Sequence, residues 1–168
     1  EEVSINEEGS PTYIRGALGK LSASDPASHE EALRRIAPLF GLSTADLALA
    51  SEQRDQLSHT HRRYTQNKNG LPVIGGDLVV HADSQGSIYA INGTVRSSAA
   101  PLLPVVDGNQ AAQLALQGSA AGAVVAGQPR LVYLLPSEGD MRLCWTVEVR
   151  GENEGTPFHD RVYIDALL

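Results

Sequence analysis

Residues 59–82 read HTHRRYTQNKNGLPVIGGDLVVHA. From His59 to Asn67 the chain alternates, with Arg62, Tyr64 and Gln66 on one face and His61, Arg63 and Thr65 on the other. That period of two is what a half-buried strand requires. Lys68-Asn69-Gly70 then reverses the chain, because Asn-Gly supplies the positive φ that a type I′ hairpin needs at both central positions. Leu71 to Ala82 is the returning strand. Pro72 has an edge-compatible φ, and Gly75-Gly76 interrupts the strand where a bulge or a close backbone approach would suit residues without a Cβ. Asp83-Ser84-Gln85-Gly86 turns the chain again into Ser87 to Val95, completing an antiparallel meander.

Upstream, Asp25-Pro26 and Ser28-x-x-Glu31 carry helix-start signals, and Leu33, Ile36, Ala37 and Phe40 recur at i, i+3, i+4 and i+7. The expected helix lays one apolar stripe on the sheet and stops at Gly41, with Pro38 ending its hydrogen-bond ladder early. Tyr13 to Leu21 reads as an extended segment whose glycines suggest an edge or a bulge. Residues 1–11 read as an acidic, turn-rich leader without periodicity. Downstream, residues 97–106 read as a stiff linker of small residues and prolines. Asp107-x-x-Gln110 caps a second helix with Ala111, Leu114 and Ala115 on one face, and strand signals follow at 130–135, 142–150 and 161–168. In the middle strand Leu143, Trp145, Val147 and Val149 alternate with Arg142, Cys144, Thr146, Glu148 and Arg150, which places Trp145 in the core and Cys144 half-buried on the wetter side. The expected fold class is α+β, in two lobes, each a helix packed on an antiparallel β-sheet. The boundaries are a flexible leader at 1–11, a first domain at 12–96, a linker at 97–106 and a second domain at 107–168.

Over 168 residues, 42% apolar and 20% charged side chains describe a globular chain, and no run approaches the ~18 consecutive apolar residues of a membrane helix. A formal charge of −7 repels phosphate backbones. Neither nucleic acid nor a membrane is an expected partner. One cysteine, Cys144, allows no intrachain disulfide and no thiolate-rich metal site. His59-x-His61 with His81 could offer three imidazoles across adjacent strands, but no carboxylate or cysteine stands at ligand spacing and no His-Glu-x-x-His helix is present, so the structural reading is preferred. Cys144 with His159 and Asp160 has the residue types of a nucleophile, base and orienter, yet a mid-strand thiol lacks the helix start or loop that lowers its pKa. Gly75-Gly76 lacks any phosphate-binding context. Glu138, Asp140, Glu148, Glu152 and Glu154 are scattered over loops and strand exteriors rather than paired. The expectation is a non-catalytic chain with no cofactor and no metal site, whose exposed strands bind protein surfaces.

Arg63-Tyr64-x-Gln66, followed by Asn69-Gly70-Leu71-Pro72-Val73-Ile74-Gly75-Gly76-Asp77-Leu78-Val79-Val80-His81, closely resembles the fungalysin/thermolysin propeptide (FTP) domain of secreted zinc metalloproteases. Leu143-Cys144-Trp145-Thr146-Val147-Glu148-Val149 and Val162-Tyr163-Ile164-Asp165-Ala166 resemble the PepSY domain that follows it in such propeptides. The resemblance implies a propeptide that helps the protease domain fold and then stays non-covalently bound as its inhibitor. The implied partner is the mature catalytic domain of its own metalloprotease, which carries the zinc and the catalytic residues downstream. The implied location is secreted or periplasmic, with a signal peptide removed. Within the motifs, Arg63, Tyr64, Gln66, Gly70, Pro72, Val73, Gly75, Gly76, Trp145 and Asp165 are expected mainly to maintain the fold. The chain departs from the pattern at Asp165-Ala166-Leu167-Leu168, where related propeptides commonly continue Asp-Ala with Thr/Ser-Gly. Ala166, Leu167 and Leu168 are the expected protease-binding or inhibitory residues, because an extended apolar end can enter a cleft that a compact lobe cannot. The other arrangement open to these residues is that Val162, Ile164 and Ala166 complete the sheet and leave only Leu167 and Leu168 free. The alternative function is a free-standing secreted or periplasmic module that inhibits or tethers another protein.

Overall fold

The computed structural model describes residues 2–22 and 24–168, which are mostly β-strand with two α-helices. The fold is therefore α+β. The chain divides into two compact units, Glu1–Ser98 and Ala99–Leu168.

The first unit contains β1 (Glu2–Ile5), β2 (Pro11–Lys20), α1 (Pro26–Ile36), β3 (Leu47–Arg54), β4 (Thr60–Lys68), β5 (Leu71–Ala82) and β6 (Ser87–Gly93). Its strands lie in the order β1-β2-β6-β5-β4-β3, antiparallel throughout. Tyr64 on β4 and Leu78, Val80 and Ala82 on β5 are buried in one core with Ile36, Ala37 and Phe40. Helix α1 starts earlier than the Ser28 signal. Asp25 is the N-cap, its carboxylate accepting the Ala27 N–H at 3.0 Å, with Pro26 in the first turn. The Ser28 hydroxyl instead accepts from the Ser22 N–H at 2.8 Å and donates to Asp25 O at 2.7 Å. Pro38 ends the α-helical ladder as expected: Ala37–Phe40 form a 3-10 turn closed by Gly41 at φ 71°.

The acidic start corrects the expectation of a flexible leader. Strand β1 pairs with β2, the Asn6 carboxamide accepts the N–H groups of Glu8 and Ser10 at 3.1 and 2.8 Å, and Glu8 reaches the Arg96 guanidinium at 2.8 Å. The sequence concealed this because every residue of β1 is exposed, so no buried face imposes an alternation. With β1 on one side and β6 on the other, β2 is not an edge strand. The suspected irregularity is a register shift against β6 between Arg15 and Gly19.

The second unit contains α2 (Gly108–Gln117), β7 (Val124–Val125), β8 (Arg130–Leu134), β9 (Arg142–Asn153) and β10 (Thr156–Asp165), with β9 pairing antiparallel to β7, β8 and β10. Asp107 and Gln110 form the expected capping box: the Asp107 carboxylate accepts the Gln110 N–H at 2.8 Å and the Gln110 side chain accepts the Asp107 N–H at 3.0 Å. Ala111 and Ala115 pack on Val147 and Val149, whereas Leu114 is exposed, so the buried stripe is narrower than its sequence suggests. Cys144 is also buried rather than half-buried. Residues 99–106 are docked on this unit instead of forming a free spacer. Met141 N–H reaches Ala99 O at 3.2 Å, the Tyr133 hydroxyl donates to Pro101 O at 2.6 Å, and the Val105 and Val106 N–H groups bond Ala166 O. No helix among the described residues is long and apolar enough to cross a membrane.

Candidate functional site

The Asn69-Gly70 turn has φ values of 50° and 77°, as its sequence requires. Beyond it the two strands lose step: Thr65 pairs with Asp77 but Asn67 pairs with Pro72, so Val73 to Gly76 bulge out opposite Gln66. The bulge accommodates the Gln66 carboxamide, which is buried, donates from Nε2 to Arg96 O at 2.8 Å and accepts the Arg96 N–H on Oε1 at 3.2 Å. One side chain thus reproduces the two-bond contact of a strand neighbour and fastens the chain leaving β6. Gly76 makes this possible, since a Cβ there would lie 2.9 Å from both Cβ and Oε1 of Gln66. Gly75, at φ 90°, carries the bend, and its carbonyl accepts the Thr94 hydroxyl.

The other motif residues are placed around this clamp. Tyr64 is buried with the Arg62 guanidinium 5.9 Å from its ring centre, and burial pushes its phenol up, with Arg62 opposing. Arg62 also pairs with Glu52 at 3.0 Å. Arg63, on the opposite face, is exposed and 3.7 Å from Asp77. Pro72 is exposed and Val73 buried. Trp145 is half-buried, packs on the cluster of Val106, Ala111 and Val147, and donates Nε1–H to Val106 O at 2.7 Å. Sequence reasoning missed Arg96 and Glu8. Arg96 is buried and ion-paired, but neither its neighbours nor its spacing distinguishes it from a surface arginine.

The chain end is built differently from the expectation for Ala166. Ala166 is wholly buried, donates its N–H to Leu143 O at 2.9 Å, and accepts on its carbonyl from Val105 N–H at 2.7 Å and Val106 N–H at 2.9 Å. It closes the sheet and presents nothing to a partner. Asp165 Oδ1 accepts the Leu167 N–H at 2.8 Å, and the exposed end is Leu167 and Leu168, at 43% and 88% exposure. Leu102, Leu103 and Val105, in the segment that staples Ala166, are exposed as well.

The candidate chemical groups are dispersed. Burial, reinforced by the charge of Asp165, pushes the Cys144 thiol up. Cys144 pairs with Asp165 while His159 pairs with Arg150, so six residues of β10, about 20 Å, separate the thiol from that imidazole. His159 and Arg161 both address Glu148, at 3.1 and 2.6 Å. Among the described residues no group of three or more His, Cys, Asp or Glu side chains is arranged to hold a metal. His61 and His81 do meet, Nδ1 to Nδ1 at 2.7 Å, while His59 lies beside Tyr89 instead.

Residues 45–95, spanning β3 to β6 and both partners of the Gln66–Gly76 contact, match the fungalysin/thermolysin propeptide motif, a non-catalytic region. Bacillolysin of Bacillus subtilis (strain 168) is 27% identical over 162 residues, covering 89% of this chain and 31% of bacillolysin. Thermolysin of Alicyclobacillus acidocaldarius subsp. acidocaldarius is 27% identical over 163 residues, covering 83% of this chain and 28% of that protein. Among solved structures, the Bacillus megaterium YpeB C-terminal domain aligns at a TM-score of 0.41 and 13% identity, over 95% of this chain and 68% of that one. The chain spans about 30% of the length of these proteases, 31% and 28% respectively. It carries the fungalysin/thermolysin propeptide motif and is a relative, over most of its own length, of thermolysin-like proteases.

Proposed function

We propose that this chain is the pro-region of a secreted thermolysin-like metalloprotease, acting as an intramolecular chaperone and then as a non-covalently bound inhibitor of the catalytic domain. The observation that carries this reading is the propeptide motif at 45–95 within an alignment to bacillolysin covering 89% of the chain. In this reading residues 12–96 are an FTP-like domain and residues 107–168 a PepSY-like domain, each a helix on an antiparallel sheet, with 97–106 between them. A pro-region speeds folding by binding a native-like transition state of its enzyme, supplying formed surface before the enzyme has completed its own. Inhibition uses the same faces, with Leu167 and Leu168 adding apolar side chains beside the cleft. Motif residues such as Gln66 and Gly76 act indirectly, by keeping that surface in shape.

The test is refolding of a denatured thermolysin-like catalytic domain with this chain added in trans. Faster recovery of native enzyme, followed by inhibition when the chain is in excess, is expected. Equal recovery without inhibition overturns the reading.

A further inference from the structure

At one end of the first unit's sheet, the face that carries the core ends in charged residues. Thr60, Arg62 and Tyr64 alternate onto that face of β4, and the register sets Ala82, Val80 and Leu78 opposite them on β5, with Arg54 and Glu52 of β3 paired to Thr60 and Arg62. Leu78, Val80 and Ala82 are buried in the core. Arg54 shares their face of the sheet and yet is exposed. A cleft of about 240 Å³ opens beside it, bounded by Thr60, by His29 of α1, by Lys20 at the end of β2 and by the β5–β6 turn. Leu21 and Ala82, both buried, back it. Its rim is fastened in place by the fold itself: the Leu21 N–H donates to Gly86 O at 2.7 Å, the Gly86 N–H donates to Asp83 O at 2.9 Å, and Asp83 Oδ1 accepts the Gln85 and Ser87 N–H groups, each at 2.9 Å.

The charges around this cleft are unequally engaged. Both of its carboxylates are committed, Asp83 to its own turn and Glu52 to Arg62 at 3.0 Å. Both of its cations, Lys20 and Arg54, stand without an ion pair or a side-chain hydrogen bond among the described residues. Arg62, which holds Glu52, also buries its Nε without an acceptor. With Lys20, Arg54 and Arg62 set against Glu52 and Asp83, the cleft holds a surplus of positive charge and of donors, on a chain whose formal charge is −7. A monoanion that accepts hydrogen bonds completes that set, and a carboxylate is such a group. A phosphate dianion would bring a second negative charge against Glu52 and Asp83. The volume lies below the roughly 300 Å³ at which small-molecule pockets begin, so it suits a carboxylate on a short stem rather than a cofactor. Ser84 and Gln85, exposed on the rim and without side-chain hydrogen bonds among the described residues, have donors and acceptors for the peptide groups beyond that stem. We propose that this cleft binds a peptide carboxylate, with Arg54 and Lys20 as its charge partners. The carboxylate is a free C-terminus or an acidic side chain. This inference stands apart from the pro-region reading.

Amide NMR titration of the full chain with blocked peptides tests the site. The probes are acetyl-Ala-Ala-Ala with a free carboxylate, acetyl-Ala-Glu-Ala-amide, and acetyl-Ala-Gln-Ala-amide as the neutral control. Saturable shifts at the amides of Thr60 and of residues 82–87 are expected with a carboxylate peptide, and whichever of the two binds tighter identifies the source. The glutamine peptide should bind about tenfold more weakly or not at all. Arg54→Gln and Lys20→Gln should each weaken the carboxylate peptide about tenfold. Lys68→Gln, which removes a cation at the far end of β4, should bind as the wild type does. Equal binding of the neutral peptide, no saturation with either carboxylate, or the same loss in Lys68→Gln as in Arg54→Gln overturns the proposal. Should a variant not fold, the three peptides on the wild type decide alone.

Discussion

Gly70, Gly76 and Gly86 lie within 17 residues of one another, and each is glycine for a different reason. Gly70 has φ 77° with open space around the missing Cβ, so Gly70→Ala meets only the left-handed penalty of roughly 1–2 kcal/mol. Gly76 has the opposite problem: its substituent would collide with Gln66, which must then leave the Arg96 backbone. Gly76→Ala should cost about 1–3 kcal/mol, the range for a buried hydrogen-bonding group left unpaired. Gly86 combines both, with φ 82° and a Cβ that would lie 1.9 Å from Leu21 O. Gly86→Ala should therefore be the most damaging. Urea unfolding is expected to rank the losses Gly86, Gly76, Gly70, and hydrogen exchange at the Arg96 amide should accelerate in Gly76→Ala and stay near wild type in Gly70→Ala.

Among the elements, α2 and the β9–β10 hairpin offer opposite opportunities. Removing the reciprocal cap with Asp107→Ala should lower stability by about 1 kcal/mol. The hairpin turns through Glu154 and Gly155 at φ 49° and 81°, and glutamate is a poor occupant of the left-handed region. Glu154→Asn should raise stability by roughly 0.5–1 kcal/mol by creating the preferred turn pair, read as a higher melting temperature. Asn69-Gly70, Asp107-x-x-Gln110 and the alternation at 142–150 were legible in the sequence because a turn, a cap and a strand face are each encoded locally. The missed features are non-local or unconstrained by burial. Strand β1 has no buried side, and the outer part of the β9–β10 hairpin is mostly exposed, so its strands ran past the expected limits at Arg150 and Arg161. Alternation misjudged Cys144, because Leu143 and Cys144 are adjacent and both buried. The Gln66–Arg96 clamp joins residues 30 apart through side chain and backbone, and no spacing rule reports such a contact.

At the scale of the whole molecule, acid and partner binding are the informative perturbations. The hydrogen bond from Arg161 holds the Glu148 carboxyl below its ordinary range against partial burial, aided by the charges of Arg161, His159 and Arg130. Its folded pKa is lower than its unfolded one, so the contribution is full above the ordinary carboxylate value and is lost as pH falls through the folded value. Arg161→Gln should accordingly flatten the loss of stability between about pH 5 and pH 3, measured by urea midpoint. For the partner, deleting Leu167 and Leu168 should weaken inhibition of a thermolysin-like enzyme by about tenfold, or 1.4 kcal/mol, while leaving association measurable by titration calorimetry. Loss of all binding would place the affinity in the end rather than the faces. The bonds on both sides of Ala166 give those two residues a fixed origin. At about 3.5 Å per residue, Leu168 lies no more than some 7 Å from that origin, which gives it a high effective concentration there. A partner seated against the body of the second unit would meet this side chain as though from a concentrated solution, and a contact too weak to survive between separate molecules would then be nearly always made.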